Sequence, residues 1–235
     1  MSKYLAVDER MCSKSKLELK KLGYELIEIS ENPTLEKPVS AHPDMNLLIV
    51  GEQLFARKYV NDMFTIVKQS KIVTDAHLNV NEILVYPDNV ALNCAVVGKS
   101  IICNTKYTSK DVINYANDIG YDIINVNQGY AKCATCIVGE NAIITEDDSI
   151  EKKCRNYGMD VLKIQKGHVR LDGYNYGFIG GCSGLIENNL LVFNGNIELH
   201  PQHTEIHNFC TKHNVEAISL NNDALYDVGS IIRLN

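Results

Sequence analysis

The sequence predicts an α/β fold of five-fold pseudosymmetry: an α/β propeller, one domain over residues 1–235, closed into a ring by its N- and C-terminal strands. Three observations predict it. First, a short apolar run, a Gly- or Asn-bearing turn and a second apolar run recur. They lie at Leu47–Phe55 (LLIVGEQLF), Cys94–Cys103 (CAVVGKSIIC), Cys133–Thr145 (CATCIVGENAIIT) and Ser183–Phe193 (SGLIENNLLVF). This is the pattern of two strands joined by a tight turn. Second, helix-type and strand-type segments alternate between these hairpins, in five units of roughly 40–50 residues, a period typical of repeat architectures. Third, the chain begins on one apolar strand, Lys3–Asp8 (KYLAVD), and finishes on another, Gly229–Leu234 (GSIIRL). Pairing these two completes a fifth hairpin and removes the exposed edges that an open sheet must protect.

After the first strand, Ser13–Gly23 (SKSKLELKKLG) offers a Ser cap, three leucines, basic residues in its last turn and a Gly stop, and so reads as a helix. A strand follows at Tyr24–Ile29, then a Pro-interrupted loop into His42. The order returns with helices at Thr108–Gly120, Asp148–Gly158 and Pro201–Asn214, followed by strands at Tyr121–Val126, Met159–Ile164 and Val215–Leu220. Between Arg57 and Val85 the copy is less regular; Phe64–Val67 and Ile72–Val73 are apolar, His77–Asn81 reads as loop, and the segment counts as one helix-bearing unit. A doubly wound sheet is the rival, but no Gly-x-Gly-x-x-Gly run follows a strand and opens a helix.

At 45% hydrophobic residues the chain can fill a full core. No apolar run approaches a bilayer-spanning length and MSKYLAVDERMC lacks a signal-peptide core, so a cytoplasmic protein without a membrane partner is expected. Eight cysteines in that setting read as reduced thiols, mostly buried. A net charge of −6 without Lys/Arg clusters gives no footprint for nucleic acid and mildly favours a cationic small molecule.

In a ring, the starts of the first hairpin strands converge near the axis. They read AHPDMNLL, NVALNCAV, GYAKCATC, FIGGCSGL and ALYDVGSI. In an extended segment His42 and Asp44 leave the same face, which suits acid/base work or the clamping of a cation; His-Pro-Asp is equally an ordinary turn. Asn93 and Cys94 open the second start, and Cys94 is a nucleophile if the His42 imidazole lowers its pKa, or otherwise a core residue. Cys133-x-x-Cys136 has an odd spacing that sends the two thiols to opposite faces of a strand, and no second Cys/His pair accompanies it, so no metal or redox site is expected. His200, His203 and His207 read as solvated surface. The Gly/Tyr-rich run Gly167–Gly184 brings His168, Arg170 and Asp172 and reads as a pocket wall or a long loop. Lys132 and Asp227 are the polar groups of the third and fifth starts, Asp227 as a ligand carboxylate or a cap for loop amides.

These residues resemble the pentein, or guanidine-modifying, fold shared by arginine deiminases, dimethylarginine hydrolases, amidinotransferases and a non-enzymatic ribosome anti-association factor. The chain also looks like an uncharacterised bacterial group within it. His42-Pro43-Asp44 is similar to the deiminase His-x-Asp, and Ala91-Leu92-Asn93-Cys94 to its Leu-His-Cys segment, with Asn93 in place of His. The resemblance implies His42 as acid/base, Asp44 on a guanidinium nitrogen and Cys94 attacking the guanidino carbon without a cofactor. It leaves Asp172 or Asp227 as the second carboxylate. Both motifs lie in the first half of the chain, so the resemblance implies a ring cut at a different place. The family's Gly-rich run before the Cys has no counterpart. Two functions follow as expectations: a hydrolase acting on a guanidino or amidine group by covalent thiol catalysis, or a non-catalytic binding protein of the same fold.

Overall fold

The computed structural model describes residues 3–64, 70–73 and 83–234. The expected mixed α/β class is present, among the described residues as five separate three-stranded sheets, none of which closes on itself. The second sheet holds β3 (Leu47–Val50), β4 (Gln53–Arg57) and β5 (Ser70–Val73), and the third β6 (Ala95–Val97), β7 (Ser100–Cys103) and β8 (Asp122–Asn125). The fourth holds β9 (Thr135–Gly139), β10 (Ala142–Thr145) and β11 (Asp160–Lys163), and the fifth β12 (Ser183–Glu187), β13 (Leu190–Phe193) and β14 (Glu216–Ser219). In each, the first two strands form an antiparallel hairpin and the third lies parallel to the second. A parallel return needs a crossover, which is why a helix follows the hairpin. The crossovers are α3 (Lys110–Asp118), α4 (Asp148–Asn156) and α5 (His203–Lys212).

The first sheet is assembled from both ends of the chain. β1 (Lys3–Asp8) runs parallel to β2 (Tyr24–Ile29) through α1 (Ser13–Lys21), and antiparallel to β15 (Ile232–Arg233), with Leu5 opposite Arg233 and Ala6 opposite Ile232. Ser13, expected as the cap of α1, is its first helical residue; the cap is Cys12, without a side-chain hydrogen bond. In the irregular second unit a 3-10 turn covers Asn61–Phe64. Residues 65–69 and 74–82, and with them part of the expected Phe64–Val67 run and the expected His77–Asn81 loop, lie outside the described residues.

The core is divided among the seams between consecutive sheets. Ala6 and Ile29 meet Leu47 and Leu54; Leu48 and Phe55 meet Ile101 and Val112; Ala95 and Ile102 meet Ile143 and Ile150. Ile144 and Val138 meet Leu191 and Phe193, and Val192 and Ile186 meet Leu5 and Val7, returning to the first sheet. Phe55 and Phe193 are fully buried in these seams, and each such side chain contributes roughly 1.5–3 kcal/mol by leaving water. Among the described residues no helix is long and apolar enough to cross a membrane, and no group of three His, Cys, Asp or Glu side chains is placed to hold a metal ion.

Candidate functional site

Pro43 opens a short helix, α2 (Pro43–Asn46), because its fixed φ suits the first helical position. His42 precedes this turn with an extended backbone and Asp44 lies in the first turn. The expected extended His-x-Asp segment is therefore corrected: the two side chains diverge along a helical turn rather than leaving one strand face. The turn is pinned to the loop before β15, where the Asp44 N–H donates to the Gly229 carbonyl at 3.0 Å. His42 packs on Gly229 itself, which has φ +67°, and a Cβ there would lie 2.1 Å from the His42 Cβ.

Asp44 is the hub of a buried network. The Cys133 thiol donates to Asp44 Oδ2 at 3.1 Å and the Ser230 hydroxyl reaches the same oxygen at 2.7 Å. Lys132 Nζ donates to Ser230 Oγ at 2.9 Å. Asn93 donates to the Cys133 sulfur at 3.1 Å and accepts the backbone N–H groups of Lys132 and Cys133 on its Oδ1. Ser230 holds φ +70°, a conformation costly for a residue with a Cβ and met where surrounding structure enforces it. Asp44 Oδ1 and His42 Nδ1 have no hydrogen-bond partner among the described residues.

Two further carboxylates flank the imidazole: Asp227 Oδ1 lies 3.8 Å from His42 Nδ1 and Asp8 Oδ2 lies 3.9 Å from Nε2. Both separations exceed hydrogen-bond length. Burial lowers His42 to about 4 despite the Asp44 charge, so the ring is neutral at pH 7 and these contacts are not ion pairs. Burial, reinforced by repulsion from Asp44, raises Asp227 to about 7. Burial and the charges of Asp44 and Asp227 push the Cys133 thiol well above its ordinary value. Asp227 also caps loop amides, accepting from Gly229 and Phe178 N–H groups at 2.9 Å each.

His42, Cys133 and Asp227 open on a cavity of about 240 Å³ walled by Tyr130, Tyr174, Tyr176 and Phe178. His42 and Asp227 also line a larger cavity of about 450 Å³, together with Asp8, Arg10, Lys37 and Asp172. A third, of about 300 Å³, is lined by residues in or next to β3, β6, β9, β12 and β15, one strand from each sheet, with Asp44, Lys132 and Cys94 at its wall.

The structure thus brings His42, Asp44, Asn93, Lys132 and Asp227 together. Cys94 lines the third cavity with Asp44 and Lys132, but not the aromatic cavity that His42 and Asp227 line. Neighbouring side chains leave an extended backbone on opposite sides, so Asn93 reaches the site while Cys94 turns into an apolar cluster, beside Thr108 Oγ1 at 3.6 Å and opposite Cys103. The thiol beside His42 is Cys133, with its partner Cys136 in a different apolar cluster. His168 packs on His200 with ring centroids 5.0 Å apart, and Arg170 pairs with Asp172 at 3.7 Å, both exposed. Neither His168 nor Arg170 lines the aromatic cavity, and Asp172 lines the larger one. Sequence reasoning missed Cys133, Ser230, Asp8 and the ring of aromatics. Only the Gly/Tyr-rich run, which supplies Tyr174, Tyr176 and Phe178, carried a signal for the wall.

Chemically, the arrangement offers aromatic faces and a carboxyl group to a cation. A positive charge beside Cys133 would lower its pKa, with Asp44 already in contact to take the proton.

A model for a family of unknown function (DUF6873) matches residues 6–232. No curated protein matches the sequence. Among solved structures, the chain is similar to DDAH from Pseudomonas aeruginosa, a cysteine-to-serine mutant complexed with citrulline, at 8% identity and TM-score 0.57, covering 93% of this chain and 92% of that one. It is similar to the agmatine deiminase of C. jejuni at 12% identity and TM-score 0.56, covering 99% and 93%. It is also similar to SxtG, an amidinotransferase from Microseira wollei in the saxitoxin biosynthetic pathway, at 9% identity and TM-score 0.55, covering 100% and 94%. These likenesses show the fold, which this chain shares with the three structures.

Proposed function

The chain belongs to the family DUF6873, and from that premise we propose a pentein-fold enzyme that hydrolyses a guanidino or amidine group of a small cationic molecule through Cys133. The observation that carries this is the placement of one thiol in hydrogen-bond contact with the Asp44 carboxylate at 3.1 Å, on a cavity shared with His42 and Asp227. Cys133 takes the part first expected of Cys94. Its proton passes to Asp44, the sulfur bonds to the central carbon of the amidinium, and the C–N bond breaks with its electron pair leaving on nitrogen, protonated from the His42–Asp227 pair. Water deprotonated by the same pair then adds to that carbon, and the C–S bond breaks to return the thiol. The neighbours whose names include DDAH, agmatine deiminase and amidinotransferase support the substrate class.

We also read the five sheets as blades of a ring. The cyclic order of the apolar seams, the pairing of β1 with β15 and the cavity lined from all five units support it. Eight unpaired thiols, seven of them buried, support a reducing compartment.

The test is labelling with a chloroacetamidine-type probe followed by peptide mapping. The adduct is expected on Cys133 and absent from Cys133→Ser; an even spread over the eight thiols, or an adduct on Cys94, would sink the assignment. A second reading, a non-catalytic binding protein, is favoured by one observation: the resting thiol is buried and protonated at neutral pH. Turnover of any guanidino compound by the native chain that is lost in Cys133→Ser rejects it.

A further inference from the structure

We infer that the aromatic cavity selects a cation bearing a flat or apolar substituent, an aryl or alkyl amidine or guanidine, over zwitterionic guanidino amino acids. The inference rests on the reading that a guanidino or amidine group enters beside Cys133, and goes beyond it in naming what the rest of the molecule must be.

The walls define the substituent. Phe178 stands with its ring centroid 6.0 Å from Tyr176 at 85° and 6.4 Å from Tyr130 at 36°, so three rings make a corner. Tyr174 adds a fourth face, and Val39 and Leu171 complete an apolar lining. Such faces attract a cation through their quadrupole and a planar apolar group through contact area. At about 240 Å³ the space lies below the usual range of ligand pockets, about 300–1,000 Å³. The occupant is small.

The charges define what is refused. Among the described residues the ionisable lining groups are the acid Asp227, the neutral imidazole of His42, the thiol and the tyrosines; no Lys or Arg lines the cavity. A substrate carboxylate would find only the Asn175 amide and tyrosine hydroxyls as donors, no cation, and would face Asp227, a desolvated charge without a counter-charge. The guanidinium in the neighbouring cavity, Arg10, is already engaged. It donates to Asp8 at 2.6 and 2.9 Å and to the carbonyls of Lys37 and Pro38 at 2.7 and 3.0 Å. Lys132 lines the third cavity rather than this one, and its Nζ donates to Ser230. The remaining basic group nearby, Lys37, is exposed and lines only the larger, neighbouring cavity.

Calorimetric titration at neutral pH with phenylguanidine, benzamidine and L-arginine tests this, on the native chain and on Tyr174→Ala. Tyr174 is 39% exposed, so its truncation leaves the core intact. Phenylguanidine is expected to bind at least about tenfold tighter than L-arginine, and Tyr174→Ala to weaken phenylguanidine about three- to tenfold with little effect on L-arginine. L-arginine binding as tightly as phenylguanidine, or a phenylguanidine affinity unchanged within about twofold in both Tyr174→Ala and Phe178→Leu, would overturn it. If Cys133 is labelled by chloroacetamidine yet L-arginine is preferred, this inference falls and the proposed function stands. If none of the three cations binds and Cys133 stays unlabelled, both fall.

Discussion

Replacing Glu146 by Gln should make the protein more stable, and the gain should grow with pH. Glu146 follows β10 and is 8% exposed; its Oε1 accepts the Ile179 N–H at 2.9 Å, which anchors the segment that walls the aromatic cavity. Its Oε2 has no hydrogen-bond partner among the described residues. Burial raises the carboxyl from 4.5 to about 8, with the Ile179 N–H opposing and Asp227 adding repulsion. Between those values the folded chain holds a proton that the unfolded chain has released, so the folded state binds more protons and stability falls as pH rises. One pH unit is worth about 1.4 kcal/mol, so the whole window amounts to at most about 5 kcal/mol, and roughly 2–4 after solvent and structural relaxation. Gln keeps the acceptor for Ile179 and does not titrate. Urea unfolding of both proteins should give midpoints within about 1 kcal/mol of each other near pH 5, and a Gln advantage of roughly 2–4 kcal/mol near pH 8.5. The comparison is made as a difference because His42, lowered to about 4, works in the opposite sense and adds stability as pH rises from about 4 to about 6.5. A difference that stays constant across this pH range would refute the burial argument for Glu146.

Gly181→Ala should remove ligand binding and cost about 1–3 kcal/mol of stability, because a Cβ at Gly181 would sit 2.1 Å from Asp227 Oδ1 and displace the carboxyl; calorimetric titration reads the first effect and chemical unfolding the second. Asp44→Asn should separate two roles of one carboxylate. With the negative charge gone the Cys133 thiol ionises more readily, so iodoacetamide alkylation at neutral pH should quicken several-fold. Guanidine turnover should fall at the same time, because the proton acceptor is lost. Slower alkylation, followed by peptide mapping, would contradict the arrangement.

Much of the architecture is visible in the chain because its signals are local. The apolar runs on either side of Gly51 and Gly98, both at positive φ in the observed turns, mark β3–β4 and β6–β7 without any tertiary knowledge. The pairing of Lys3–Asp8 with the last strand followed from counting strands that lacked a partner. The site was less legible, for two reasons. Pro43 is a helix-starting residue as well as a turn residue, and taking the segment as extended gave His42 and Asp44 the wrong geometry. Choosing between Cys94 and Cys133 required knowing which side of the backbone faces the cavity. That depends on where β6 and β9 begin relative to their turns: Cys133 sits two residues before β9 and Cys94 one residue before β6. Ser230 lies beyond sequence reasoning, since its importance comes from a strained φ and from Lys132 and Asp44 reaching it across the fold.

The pairing of Leu5 with Arg233 has a consequence for biosynthesis. While the chain grows on the ribosome, β1 can meet β2 at once, but its other edge stays bare until residue 233 has emerged. Every later sheet can be completed from segments close together in the chain. β1 must wait, with open hydrogen-bonding groups on that edge, until more than two hundred further residues have been made, which exposes it to chaperones and to mispairing between nascent copies.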